Sequence, residues 1–227
     1  MTDELMQPVM PRKWYEIWWD IYSHPGVTPF RTALNEPGHD ITRGFIWVAV
    51  TSFIMTLVSL LFSTLAMRNL MSDAFGGEIF KEYGAYTVAY ICAVILAPLF
   101  ACIGIAISAA VYHLVAKLFH GKGTWNDLVF CMSAVFAPGT LVSCVVGIFY
   151  LLFSQIPLLI FLPALVAMAF GVYTLVLNIN AIRAAEDIGT GEAVATYFIP
   201  SIIAVVLVSC CSIVILIPLF SQIISGQ

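Results

Sequence analysis

The stretch Lys117-Leu-Phe-His-Gly-Lys-Gly-Thr-Trp-Asn-Asp127, or KLFHGKGTWND, is a polar island between two long apolar tracts of the sequence. Its glycines, Gly121 and Gly123, permit the backbone angles of a tight reversal. Thr124, with an acid three residues later, predicts a capping box that starts a helix after the reversal. The island therefore predicts a sharp turn between two helices, and the tracts on either side decide what those helices are.

The composition of the chain places those helices in a membrane. Apolar residues make up 61% of the sequence and charged residues only 10%, against about 45–50% and 25% in soluble domains. These proportions predict an all-α integral membrane protein whose partners include membrane lipids. No nucleic-acid partner is expected.

The positions of the charged residues predict the number of membrane-spanning helices. The 9 basic and 13 acidic residues leave four uncharged tracts, at 44–67, 83–116, 128–182 and 193–227. A spanning helix needs about 20 apolar residues, so the third tract must turn back on itself, and Gln155 and Pro157 predict a hinge at 153–157. The prediction is an N-terminal arm, 1–43, followed by a five-helix membrane domain, 44–222, with spans at about 44–66, 86–115, 128–152, 157–181 and 193–220.

The distribution of basic residues predicts the orientation, because Lys and Arg are retained on the cytoplasmic side of a membrane. Five spans place the two termini on opposite sides. Seven basic residues fall on the side of the N-terminus and two on the other side: Arg12, Lys13, Arg31, Arg43, Lys117, Lys122 and Arg183, against Arg68 and Lys81. We expect a cytoplasmic N-terminus and a C-terminus outside.

The arm contains the aromatic stretch Trp14-Tyr-Glu-Ile-Trp-Trp-Asp-Ile-Tyr22. Wound as a helix, it gathers its apolar and aromatic residues on one broad face and leaves Glu16 and Asp20 on the other. Trp and Tyr favour the headgroup level of a bilayer. The stretch predicts a short amphipathic helix that lies in the membrane interface, with simple packing against the spans as the alternative. A break at His24-Pro25-Gly26 follows, and then an irregular or briefly helical segment.

Several function classes are excluded by what the sequence lacks. No charged residue falls inside a predicted span, whereas pumps and coupled transporters place charges there. Catalytic motifs are absent, so we expect neither an enzyme nor a cofactor. His113, His120 and Asp127 make a poor zinc site. The six cysteines lie within predicted spans without a CxxC pair and predict no metal or disulfide framework: Cys92, Cys102, Cys131, Cys144, Cys210 and Cys211.

A set of motifs along the chain resembles the Yip family of Ypt/Rab-interacting membrane proteins, in its prokaryotic branch. The motifs are Pro25-Gly-Val-Thr-Pro-Phe30, His113-Leu-Val-Ala-Lys117 with Gly121-Lys-Gly-Thr124, Ala137-Pro138, Asn180-Ala-Ile-Arg183 and Gly189-Thr-Gly-Glu-Ala193. The resemblance covers about residues 14–220. It implies five spanning helices, a cytoplasmic N-terminus and a short exposed C-terminus, in a prokaryotic cytoplasmic membrane.

The resemblance implies less about the partner. Eukaryotic members bind prenylated Rab-type GTPases and act in vesicle budding, through a long cytosolic N-terminal domain. This chain has about 43 residues before its first predicted span and lacks the Asp-Leu-Tyr-Gly-Pro-Leu-Trp stretch of that branch. The partner therefore stays unidentified, and homo-oligomerisation stays open.

Two functions remain after these exclusions. The first is a non-enzymatic scaffold or adaptor that binds a protein partner or lipid headgroups through its cytoplasmic turns, with contacts from Lys117, Lys122, Trp125 and Arg183. The alternative is a transporter or channel for a small neutral or lipidic solute, in which Asn178 and Asn180 supply the polar lining of proline-kinked spans.

Overall fold

The computed structural model describes residues 12–74, 83–153, 159, 161–203, 205, 206 and 209. These residues form helices joined by short turns and contain no strand, which confirms the all-α class. Four of the helices are long and apolar enough to cross a membrane, as judged over the same residues.

Two short helices, α1 (Trp14–Ser23) and α2 (Val27–Leu34), form the N-terminal arm. α1 covers the predicted aromatic segment and ends at Ser23, and the N–H of the next residue, His24, donates to the carbonyl of Asp20 at 3.0 Å. Pro25 then ends the hydrogen-bonding pattern because it has no N–H. α2 follows Gly26 and is the brief helix that the sequence allowed for. The position of α1 in a membrane interface stays a prediction.

Four long helices and the start of a further one make up the bundle. They are α3 (Ile41–Ala74), α4 (Tyr83–Leu118), α5 (Trp125–Phe153), α6 (Phe161–Glu186) and α7, which begins at 190 and is described continuously to 203. The stretches able to span a membrane are Ile41–Phe62, Ile91–Leu118, Trp125–Tyr150 and Phe161–Glu186, which match the first four predicted spans. Most of the predicted fifth span and of the hinge at 153–157 lies outside the described residues, so the number five stays a prediction.

Both polar turns lie at one end of the bundle. The backbone N–H of Lys122, in the α4–α5 turn, donates to the carbonyl of Glu186, at the end of α6, at 2.8 Å. The arm reaches the same end, where Arg31 of α2 contacts Asp187 at 2.5 Å. We call this end, formed by residues 12–43, 113–127 and 183–192, the turn end. The opposite half of the bundle, represented by residues 142–153 and 161–172, is called the far half.

The tightest packing surrounds the first half of α5. Every residue from Leu128 to Val135 is at most 7% exposed, so this segment has neighbours on all of its faces. Those neighbours are α1, α2, α3, α4 and α6. In the far half the same helix exposes 51% of Val145 and 64% of Leu152. Among the described residues, the core is therefore concentrated towards the turn end.

Candidate interaction surface at the turn end

The α4–α5 turn has the reversal that its glycines predict. α4 ends at Leu118, and His120 adopts a left-handed backbone with φ of 63°, a conformation that His tolerates better than most side chains. The N–H of Gly121 donates back to the carbonyl of Ala116 at 3.0 Å, which satisfies one of the last carbonyls of α4. The predicted capping box also forms, because the Thr124 N–H donates to the Asp127 carboxylate at 3.3 Å and the Asp127 N–H donates to the Thr124 hydroxyl at 3.2 Å.

The side chain of Lys117 bonds to the backbone of this turn. Its ammonium group donates to the carbonyl oxygens of Gly121 and Gly123 at 2.9 and 3.0 Å. These bonds place a cation near the carbonyl end of α4, where the helix dipole favours positive charge. Lys117 therefore holds the loop closed.

The turn rests directly on the end of α6. A Cβ atom added at Gly123 would lie 1.8 Å from the carbonyl oxygen of Ala185, and one added at Gly121 would lie 2.9 Å from a carboxylate oxygen of Glu186. Real Cβ atoms do not approach other atoms so closely, so the two backbones meet here because the turn carries glycine. This close approach fixes the position of the turn relative to α6.

A buried pair of side chains lies beneath the turn. Glu186 is fully buried, and its Oε1 lies 2.5 Å from Nδ1 of His113, on α4. The other carboxylate oxygen, Oε2, has no hydrogen-bond partner. A buried carboxylate is costly unless it is paired, so His113 stabilises this site. Sequence reasoning missed the pair because the two residues are 73 positions apart and no spacing rule connects them.

The other predicted contact residues have different environments. Lys122 has an exposed side chain, and no described residue bonds to its ammonium group. Trp125 is half-buried against the core, with its indole N–H buried and unpaired. Arg183 is also half-buried; its NH1 donates to the Asn180 side chain at 3.2 Å, while its Nε is buried without a partner. The structure thus brings all four residues to the turn end but leaves one of them, Lys122, free at the surface.

The arm is anchored to α5 and α6 through Tyr22. The Tyr22 hydroxyl donates to the carbonyl of Val135 at 2.8 Å, and the Tyr173 hydroxyl donates to the carbonyl of Tyr22. The accepting carbonyl lies next to that of Ala134, which has no helical N–H partner because Pro138 stands four residues on. Burial raises the pKa of the Tyr22 hydroxyl above its usual value, so it stays a donor.

The structure shows that α1 packs against the bundle, and its position in a membrane interface stays a prediction. Ile17 and Ile21 are 1% exposed and pack against the core, whereas Trp19 is 75% exposed and Trp14 and Tyr15 are about half exposed. One face of the helix therefore packs against the bundle. The other presents large aromatic side chains, which are the kind that favour a membrane interface.

Ion pairs and a hydrogen bond join the beginning of the arm to its end. Arg12 bonds to Asp20 at 3.0 Å and to Glu36, while Arg43 donates to the backbone carbonyl of Arg12 at 2.6 Å. Burial lowers the pKa of the Arg12 guanidinium, but its bonds to Asp20 and Glu36 outweigh this effect, so the net direction is upward. The start of α1, the α2–α3 connection and α3 are therefore joined at one point.

The two asparagines proposed for a transport path are separated. Asn178 lines a cavity between α4, α5 and α6, and its amide donates to the carbonyl of Thr174 at 2.8 Å. Asn180 is buried, faces Arg183 and is not among the residues that line the cavity. Of the transport candidates, one therefore meets a cavity and the other belongs to the packing of the turn end.

Comparison with known proteins gives one family. The model of the Yip1 domain matches residues 19–213, which include the arm from Trp19 onward, the four span-capable helices and both turns. No curated protein and no solved structure gives a significant match. Yip-family proteins are membrane-associated and interact with Rab GTPases or other proteins, and the family is not known for enzymatic activity. The chain therefore belongs to the Yip1-domain family of membrane proteins.

Proposed function

We propose that this Yip1-domain protein is a non-enzymatic adaptor whose turn end binds a protein partner on the cytoplasmic side of a prokaryotic membrane. The excess of Lys and Arg at the turn end supports this orientation, with the N-terminus inside and the C-terminus outside. The observation that carries the proposal is the exposed side chain of Lys122, whose ammonium group bonds to no described residue, on a turn whose backbone is held by bonds to α4 and α6.

The fixed backbone favours recognition of a partner. A loop that is already ordered before binding loses less conformational entropy when it meets a partner, so more of the contact energy appears as affinity. The turn has this property because Lys117 binds two of its carbonyls and the backbone of Lys122 bonds to α6. Lys122 is the direct contact in this proposal, and its partner presents an acidic or otherwise accepting group.

The other three predicted contact residues stabilise the position of the turn. Lys117 closes it, Trp125 packs at the start of α5, and Arg183 binds Asn180 near the end of α6. The arm adds a contact with lipid: Trp14, Tyr15 and Trp19 occupy the headgroup level and hold the turn end at a constant height above the bilayer. Lipid headgroups are therefore secondary partners, bound by the arm.

Transport of a solute is not favoured. The described residues that line the cavity beside Asn178 include no Asp, Glu, Lys or Arg, which argues against ion-coupled transport but not against a neutral solute. Asn180 does not reach it. We keep transport as the outcome to consider if partner binding fails.

Co-purification tests the adaptor proposal. The tagged full chain is solubilised in mild detergent from its own membranes, and co-purifying proteins are quantified by mass spectrometry against the variant Lys122→Glu. We expect the reversal of charge to lower the recovery of a dominant partner at least tenfold, because an attractive contact becomes repulsive. The matched control is Lys122→Arg, which keeps the positive charge at the same exposed position and should keep the recovery of the partner. Equal recovery from the wild type and Lys122→Glu would refute the proposal.

A further inference from the structure

A long cavity of about 900 Å³ lies between α4, α5 and α6, with Tyr197 of α7 also in its lining. Along α5 it reaches from Met132 to Tyr150, about 27 Å at 1.5 Å per residue, and along α6 from Pro163 to Asn178. These segments belong to the stretches that can cross a membrane. The cavity is thus nearly as long as the hydrocarbon core of a bilayer is thick, about 30 Å. Its volume falls within the range of small-molecule sites, about 300–1,000 Å³.

The chemical character of the cavity changes along its length. Towards the turn end it is lined by Ser108, Tyr112, Asn178 and Tyr197, and the rings of the two tyrosines stack with centroids 5.6 Å apart. No described residue bonds to the hydroxyls of Ser108 and Tyr197. This end therefore offers uncharged hydrogen-bond donors and acceptors.

The middle and far parts of the cavity are mostly apolar, although Ser143 and Tyr150 also line them. The Thr140 and Thr174 hydroxyls donate to carbonyls of their own helices, at 2.9 and 3.0 Å, which leaves their methyl groups for contact. Small and apolar side chains follow towards the far half: Val146, Gly147, Pro163, Ala164, Ala167 and Gly171. A Cβ atom added at Gly147 or Gly171 would meet nothing within 4 Å, so the walls leave space unfilled.

We propose that this cavity binds one acyl chain of a membrane phospholipid, with the ester group of the chain at the end formed by Ser108, Tyr112, Asn178 and Tyr197. Protein interiors are close-packed, so a cavity of this size inside a bilayer is filled by what surrounds it. One extended chain covers about half of a hydrocarbon core that is about 30 Å thick, so it reaches from the polar end along the apolar walls of the middle of the cavity. An ester carbonyl accepts hydrogen bonds from free hydroxyls, as the uncharged polar end requires.

No Asp, Glu, Lys or Arg is among the described residues of the lining, which argues against charged occupants of the same site. A phosphate group or a fatty-acid carboxylate held in the cavity would be a buried charge without a cation, which is costly in hydrocarbon. The headgroup of the bound phospholipid therefore stays outside the cavity, in the interface. The site is a fixed lipid position between helices and needs no solute movement.

Photolabelling with a defined lipid tests the proposal. The full chain is reconstituted in nanodiscs that contain phosphatidylcholine with a diazirine near the end of one acyl chain, and the labelled peptides are mapped by mass spectrometry after irradiation. We expect labels on cavity residues of α5 and α6, such as Val146 and Ala167. Gly171→Leu, and separately Gly147→Leu, should lower that labelling at least fivefold, because each side chain would enter the cavity.

The matched control is Gly104→Leu, since a Cβ atom at Gly104 also meets nothing within 4 Å but Gly104 does not line the cavity. We expect its labelling pattern and its thermal unfolding to match those of the wild type. Labels confined to outward-facing residues such as Leu165 would overturn the proposal, including the case in which residues 204–227 of this chain occupy the cavity. Equal cavity labelling in the wild type and both filling variants would overturn it as well.

Discussion

The two halves of α5 are equally apolar in sequence and differ in what surrounds them. From Leu128 to Val135 the helix is enclosed by the arm and three long helices, whereas beyond Val142 much of its surface is exposed or faces the cavity. Hydropathy does not distinguish the two, because both belong to one span-capable stretch. Enclosure comes mainly from α3 and α6, with further contacts from α4 and the arm, so the turn end is the tightly packed half of α5 and the far half is the open one.

The largest expected difference between the halves follows a glycine substitution. Gly123→Ala places a Cβ atom against the backbone of Ala185, and we expect it to lower the free energy of unfolding by about 4 kcal/mol, because neither backbone can yield without breaking the turn. Gly171→Ala, in the far half, should change it by less than about 0.5 kcal/mol, since its Cβ atom meets nothing. Thermal unfolding in detergent measures both. Similar losses would break the comparison.

Truncation of leucines within α5 gives the next largest difference. Leu128→Ala removes a fully buried side chain and should cost about 3 kcal/mol, as expected for a cavity in a packed core. Leu152→Ala, on the same helix, truncates a side chain that is 64% exposed and should cost less than about 0.5 kcal/mol. The same unfolding measurement applies. A cost at Leu152 as large as that at Leu128 would mean that the far half is enclosed too.

The buried contact between Glu186 and His113 is expected to stabilise the turn end more than an exposed contact there does. Glu186→Gln keeps the shape of the side chain but removes the charge that faces His113, and we expect a loss of about 2 kcal/mol. Glu192→Gln is the matched control, because Glu192 is exposed and accepts a single bond from the N–H of Gly189. It should cost less than about 1 kcal/mol. If both variants unfold like the wild type, the contact does not support the turn.

The smallest effect concerns the anchoring of the arm. Tyr22→Phe removes the bond to the carbonyl of Val135 and should cost about 1 kcal/mol, while exposing the arm to limited proteolysis. Tyr15→Phe serves as the control, since Tyr15 lies on the exposed face of α1. Cleavage rates in the arm are compared by mass spectrometry. An arm that is cleaved equally fast in both variants and the wild type would show that Tyr22 is not its anchor.

Much of the fold could be predicted from the sequence, because local rules governed it. The apolar tracts predicted four helices that are present, and Thr124 with Asp127 predicted the cap at the start of α5. The positive charge at the turns was also evident from the sequence, but the groups to which these cations bond were not. Lys117 was expected to contact a partner, and the structure shows its ammonium group bonded to the turn's own carbonyls, a geometry that depends on the path of the backbone.

Contacts between residues far apart in the chain could not be predicted from the sequence. The hydroxyl of Tyr22 meets a carbonyl 113 residues away, and Glu186 meets a histidine 73 residues away. Neither spacing nor periodicity records such pairs, because they depend on which helices become neighbours. The arm illustrates the limit: its aromatic face was predicted, while the burial of Ile17 and Ile21 against the bundle depended on tertiary packing.

Photo-crosslinking from position 122 in native membranes tests the central claim most directly. A photoreactive residue there replaces the exposed Lys122 on the fixed turn, and the same residue at position 152, exposed in the far half, provides the comparison. The account predicts one dominant protein adduct from position 122 and lipid adducts from position 152. Lipid adducts alone from position 122, or the same protein adducts from both positions, would contradict it.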